Sequence, residues 1–95
     1  MTYTDLHKQL AETYYAKNRA YGNSFDKNCV KYGLVAGLIP IANKFDRLEA
    51  LMRAKTPDNG EPITDTLLDM ANYCLMLASM VRYSGGEGLI PFTRD

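Results

Sequence analysis

Little in this chain supplies the usual chemistry of an enzyme. Histidine occurs once, at His7, and cysteine twice, at Cys29 and Cys74, with no CxxC pair and no second ligand at metal spacing. That excludes a local Cys/His zinc site, leaves no Ser/His or Cys/His nucleophile pair, and makes two buried, reduced thiols the simplest expectation. A Gly-rich phosphate loop and a dinucleotide fingerprint are both missing. Long apolar runs are missing too: the longest, Leu34 to Ala42, is far too short for a bilayer and holds Gly37 and Pro40. The start, MTYTDLHKQL, lacks the charged-then-apolar pattern of a secretion signal, which points to the cytoplasm. Neither sign of charge prevails, since eleven Lys and Arg balance eleven Asp and Glu. A neutral chain argues against direct nucleic-acid binding, and a helix-turn-helix reader is further disfavoured by an acidic central helix.

What is present is helical patterning. Glu61 to Tyr83 (EPITDTLLDMANYCLMLASMVRY) opens with Pro62 and meets no further Gly or Pro until Gly85-Gly86. At about 100° per residue, Ile63, Leu67, Met70, Cys74, Leu77 and Val81 form one apolar stripe, and Asp65, Asp69 and Asn72 lie opposite. Leu68, Leu75, Tyr73 and Met80 border that polar strip, so this helix is expected at the centre of a bundle with its two acids in a partly buried groove.

The earlier chain reads as shorter helices. Thr2 to Asn18 carries a Tyr3, Leu6, Leu10, Tyr14 face, and Thr2 and Asp5 have capping-box spacing. Lys17 to Phe25 (KNRAYGNSF) reads as a connection, with Gly22 stopping one helix and Asn23 or Ser24 capping a short one that ends at Gly33. Leu34 to Lys55 aligns Leu34, Leu38, Ile41, Phe45, Leu48 and Met52; Pro40 predicts either a kink or a start near Ile39. Thr56 to Gly60 is a turn, and its shortness predicts antiparallel packing of the helices on either side. The expected organisation is a single helical domain over 1–84 and a flexible tail over 85–95, whose Leu89-Ile90-Pro91-Phe92 must fold back or dock elsewhere.

Two constellations carry possible chemistry. Lys17, Asn18, Arg19, Tyr21 and Ser24 gather cations, hydrogen-bond donors and a ring on one connection. Asp46-x-x-Glu49 and Asp65-x-x-x-Asp69 lie on consecutive antiparallel helices, where four carboxylates could converge. Oxygen-only ligation of that kind suits magnesium or manganese shared with substrate phosphates, and the apolar surround of Asp65 and Asp69 favours the idea. A second charged pair, Lys44 and Arg47, flanks the other side of the same apolar stripe, and solvated charged faces are the default alternative.

KNRAYGNSF (Lys17 to Phe25), ANKFDRLEALM (Ala42 to Met52) and DTLLDMANYCLM (Asp65 to Met76) together resemble a phage and prophage family, the nucleotide-modification-associated domain of the first type. The resemblance implies a small all-α protein of phage nucleotide metabolism, working in the host cytoplasm. Its matching polar residues here are Lys17, Asn18, Tyr21, Gly22, Ser24, Lys44, Arg47, Asp65, Asp69, Asn72 and Tyr73. The helical arrangement is also similar to MazG-like nucleoside triphosphate pyrophosphohydrolases, which hold magnesium with an E-x-x-E and an E-x-x-D pair. Asp46 and Glu49 would stand for the first pair. Asp65 and Asp69 depart from the second, being four apart and one methylene shorter on the Glu side.

The resulting expectation is an all-α antiparallel bundle of three to four helices, completed as a homodimer or higher oligomer. It would bind a nucleotide and possess, at most, magnesium-dependent hydrolysis to a monophosphate and pyrophosphate. Asp65, Asp69, Asp46 and Glu49 are the candidate metal and catalytic residues. Lys17, Lys44 and Arg47 would contact phosphate, Tyr21 or Tyr73 would stack on the base, and Asn18, Ser24 and Asn72 would complete the site. The rival is a non-catalytic helical module that binds a phage or host protein and uses the same charges as interhelical salt bridges.

Overall fold

The structure is a computed structural model that describes residues 2–21, 23–54 and 60–85, with the backbone alone described at 20 and 21. Within these residues the chain is all-α: α1 (Tyr3–Tyr21), α2 (Ser24–Tyr32), a 3₁₀ turn (Leu34–Gly37), α3 (Leu38–Arg53) and α4 (Glu61–Ser84). The turn residues 55–59 and the tail with Leu89 to Phe92 lie outside the described residues. No described helix is long and apolar enough to cross a membrane.

Local chemistry sets most of the boundaries. The capping box opens α1 reciprocally: Thr2 N–H donates to Asp5 Oδ2 at 3.0 Å, and Asp5 N–H donates to Thr2 Oγ1 at 3.1 Å. Gly33 closes α2 at φ 94°, its N–H returning to the Cys29 carbonyl. Of the two expectations for Pro40, the later start holds, because α3 begins at Leu38 and the proline sits in the first turn, where no intrahelical donor is required. Pro62 does the same for α4, and Gly85 ends it in the left-handed conformation at φ 66°.

The start of α2 differs from expectation. Asn23 occupies the cap position with φ 66° and makes no capping bond; its Oδ1 instead accepts from Asn18 Nδ2 at 3.3 Å. The supposed connection Lys17 to Phe25 is mostly helix, because α1 continues to Tyr21 and α2 starts at Ser24.

Helices α3 and α4 run antiparallel: Gly37 at the start of α3 faces Leu77 late in α4, while Lys44 faces Asp69. The core lies between the 3₁₀ turn, α2 and the second half of α4. Cys29, Leu34 and Met80 are buried there, enclosed by Phe25, Leu77 and Val81. Leu48 and Thr66 are buried towards the other end, and Thr66 Oγ1 donates to the Pro62 carbonyl at 2.7 Å, which satisfies the hydroxyl without a neighbour.

The face that α4 buries is rotated from its apolar stripe towards its polar strip. Thr66 and Met80 are its buried residues, Asp69, Asn72 and Tyr73 are half-buried, and Leu67 and Cys74 face out. Packing α1 and α3 on either side of the Asp69 line produces this rotation. Cys74 therefore corrects the expectation of two buried thiols: only Cys29 is buried. Burial, with a smaller contribution from the Asp26 carboxylate, pushes the Cys29 thiol up from its ordinary range. In Cys74→Ser protein the remaining thiol, Cys29, should react with a bulky disulfide reagent only in denaturant; ready reaction in the native state would contradict this core.

Gly37 is the point of closest approach. A Cβ there would stand 2.6 Å from Leu77 Cδ1, 3.0 Å from Phe25 Cζ and 3.3 Å from Cys29 Sγ. Its backbone is ordinary right-handed helix, so space and not conformation selects glycine. Gly37→Ala should destabilise by about 1–3 kcal/mol through overpacking, read as a lower urea midpoint. A neutral or stabilising result would mean that α4 and α2 pack more loosely against the turn.

Candidate functional site

Asp69 sits where α1, α3 and α4 meet. Lys17 Nζ, from the late part of α1, lies 3.4 Å from Asp69 Oδ1, and Lys44 Nζ, from α3, lies 3.2 Å from Asp69 Oδ2. Each carboxylate oxygen thus has its own ammonium. The Asp69 and Lys44 side chains are 28% and 29% exposed, against 56% for Lys17, so the Lys44 pair is the less screened of the two. One turn further along α4, Asn72 Nδ2 donates to the Leu10 carbonyl at 3.1 Å and ties α1 to the same strip.

Two of the grooves that open from this point carry most of the candidate residues. One, of about 550 Å³, is lined by Lys44, Arg47, Glu61, Pro62, Asp65, Thr66 and Asp69 and is mainly polar. The other, of about 310 Å³, has Lys17, Asn18, Ser24, Asp69, Asn72 and Tyr73 on its walls together with Tyr14, Phe25 and Met76. Phe25 and Tyr73 stack with ring centroids 6.0 Å apart and planes at 30°. Asn18 Nδ2 donates to the Tyr14 hydroxyl at 3.3 Å, which orients its amide along the groove wall. Both grooves share Asp69. Their volumes fall within or close to the range of small-molecule sites, about 300–1,000 Å³.

Most of the residues singled out in the sequence therefore line a single continuous region: Lys17, Asn18, Ser24, Lys44, Arg47, Asp65, Asp69, Asn72 and Tyr73. The ring of Tyr21, like residue Gly22, lies outside the described set. The four carboxylates do not converge. Asp46 is exposed and Glu49 pairs with Arg53 one turn on at 3.9 Å, both on the flank of α3 away from Asp69. The physical reason is sign: only one charged flank of α3 can face the acidic strip of α4, and Lys44 with Arg47 occupies it. Among the described residues no group of three or more His, Cys, Asp or Glu side chains gathers as a metal cage. With Asp69 already paired by two lysines, the donors gathered here do not fit a magnesium ion held by protein ligands alone.

Sequence reasoning passed over Phe25 and Tyr14. Phe25 was legible as the aromatic neighbour of Ser24, but its partner Tyr73 is forty-eight positions away and no periodicity joins them. Tyr14 read as one member of the α1 apolar face, and nothing in that spacing marks its hydroxyl as an acceptor.

Comparison of the chain with known protein families, with curated proteins and with solved structures gives no match.

Replacing Asp69 leaves two ammonium groups facing one another without their counter-ion. Asp69→Asn should lower stability by about 1 kcal/mol at low salt, the scale of partly exposed ion pairs, and the deficit should shrink as salt rises. A double-mutant cycle with Lys44→Met measures the pair directly; zero coupling energy would remove Lys44–Asp69 from the interactions that hold α3 against α4.

Proposed function

We propose that this region binds a nucleoside phosphate. The observation that carries the proposal is the meeting of Lys17 and Lys44 on Asp69 at the junction of the two grooves. Phosphate oxygens would compete with the Asp69 carboxylate for the two ammonium groups, and Arg47 adds a planar donor fork in the polar groove. The second groove offers what a base requires: the stacked Phe25–Tyr73 surface, and the Asn18 and Asn72 amides with the Ser24 hydroxyl on its walls. A charged end and an aromatic end, continuous through one carboxylate, match the two halves of a nucleotide.

Asp65 lines the polar groove and makes no ion pair among the described residues. Magnesium enters this proposal only as a companion of the nucleotide, with the phosphates supplying most of its oxygens and Asp65 beside them. Hydrolysis to a monophosphate and pyrophosphate is the activity such an arrangement could extend to. The phage setting rests on the sequence resemblance alone. A specific observation favours a second reading: both oxygens of Asp69 are already satisfied by protein, as a purely structural ion pair requires, and several large apolar side chains stand exposed on the helices. In that reading the chain is an interaction module and the lysines only fix its packing.

A panel of nucleoside mono-, di- and triphosphates, with inorganic pyrophosphate and the bare nucleosides as controls, separates the two by thermal shift with and without magnesium. A ligand at 100 times its dissociation constant should stabilise the fold by about 2.7 kcal/mol. Lys44→Met should then weaken the responding nucleotide about tenfold or more, the scale of a lost charge-assisted hydrogen bond, while leaving the bare nucleoside unaffected. Absence of a shift with every phosphate would leave the interaction module as the reading. Pyrophosphate release in the same samples measures the hydrolytic extension.

A further inference from the structure

The side of the α3–α4 pair opposite the charged groove is largely apolar, and among the described residues it is uncovered. On α3, Leu38, Phe45 and Met52 follow one another at seven-residue intervals, and Phe45 and Met52 are 50% and 60% exposed. Seven residues bring an α-helix back to within about 20° of the same direction, so the three form a single seam. Leu67 and Cys74, also seven apart, are exposed on α4. Helical phase puts both at the far side of α4 from the Asp65–Asp69 line, and on α3 it puts the seam opposite Arg47 and roughly 100° from Lys44. The two seams therefore lie on one face. Helix α3 is sixteen residues long, which makes that face about 24 Å long and, across two helices, about 20 Å wide. The projected area is about 500 Å² before side-chain relief, on the scale of the roughly 800 Å² that each partner contributes to a standard interface.

We propose that this face is the contact between two copies of the chain, related by a two-fold axis that passes close to Phe45. A two-fold contact needs a surface that reads the same from either end, and apolar–six residues–aromatic–six residues–apolar does so. Antiparallel pairing of the two α3 helices sets Phe45 against Phe45 and Leu38 against Met52. The chain carries no net charge, so a second copy approaches without overall repulsion. Of the ionic side chains near the seam, Glu49 has a counter-ion in Arg53 of its own helix, 3.9 Å away. The groove that holds Asp69 opens on the other side and stays accessible in such a dimer. The contact also covers Phe45 and Leu67, apolar groups that stand exposed among the described residues.

Light scattering at micromolar concentration should give twice the 10.7 kDa chain mass for the native protein, and the single-chain mass for Phe45→Glu with an unchanged far-ultraviolet circular dichroism spectrum. Leu75→Glu alters another exposed apolar residue, on the α1 side of α4, and should leave the doubled mass intact. A native single-chain mass overturns the proposal, as does dissociation by Leu75→Glu in place of Phe45→Glu. Should Phe45→Glu lose helicity, self-crosslinking decides. In a Cys74→Ser background, Phe45→Cys should oxidise to a covalent dimer because residue 45 meets its own copy on the axis. Asn43→Cys, on the same helix but off the seam, should not. Equal crosslinking at both positions, or none at either, overturns the two-fold arrangement.

Discussion

Everything in this small bundle depends on how closely α4 can approach the 3₁₀ turn. The core is thin, with Cys29, Leu34 and Met80 buried around it and Phe25, Leu77 and Val81 forming its wall. A cluster of that size tolerates little separation between its parts, since each apolar contact falls off within fractions of an ångström. Gly37 supplies the missing volume: the space a methyl group would fill is taken by Leu77, Phe25 and Cys29 from α4 and α2. Once α4 is seated there, the antiparallel register with α3 follows, and Lys44 arrives opposite Asp69.

That register turns a packing problem into an electrostatic one. An apolar stripe alone would have α4 bury Leu67 and Cys74, yet those residues face out and the half-polar line through Thr66, Asp69 and Tyr73 faces in. Turning a carboxylate inwards is tolerable because two ammonium groups and partial solvent exposure accompany it. The same choice leaves the Asp46–Glu49 flank of α3 in solvent and sends its cationic flank to the groove. Charge sign thus decided which side of α3 faces the strip, and with it the character of the site.

The features legible in the sequence were those fixed by a few consecutive residues. Thr2 with Asp5, Gly33, Pro40, Pro62 and Gly85 each mark a boundary through local backbone chemistry, and the structure places a helix end within two residues of each. Antiparallel pairing of α3 and α4 was equally accessible, from the length of the turn. Which face of α4 is buried was not, because the helix has apolar residues around most of its perimeter and its periodicity permits several orientations. The extension of α1 beyond Asn18 to Tyr21 was missed because Gly22 and Asn23 suggested a longer break than the chain makes. Within the candidate site, residue types were legible, and so was an interhelical pairing of the Lys44 and Asp69 charges; the partner of Lys17 was not, since it reaches Asp69 across fifty-two positions, a separation that no local pattern encodes.

The first helix is joined to the others differently from the way they are joined to one another. Its polar ties to α4 are the Lys17–Asp69 ion pair and the Asn72 bond to the Leu10 carbonyl, the first of them well exposed, whereas α2, the 3₁₀ turn and α4 share the apolar core. Regions held by few buried apolar contacts open locally at low free energy while the remainder stays folded. Amide hydrogens of α1 therefore belong to the fast-exchanging part of the molecule, and those around Cys29 and Met80 to the slow part. Because Lys17 and Asn18 ride on α1, one wall of the groove comes and goes with that opening. Anything that bridges Lys17 and Lys44 would fasten α1 down, and occupancy would register as slower exchange along a helix most of which it never touches.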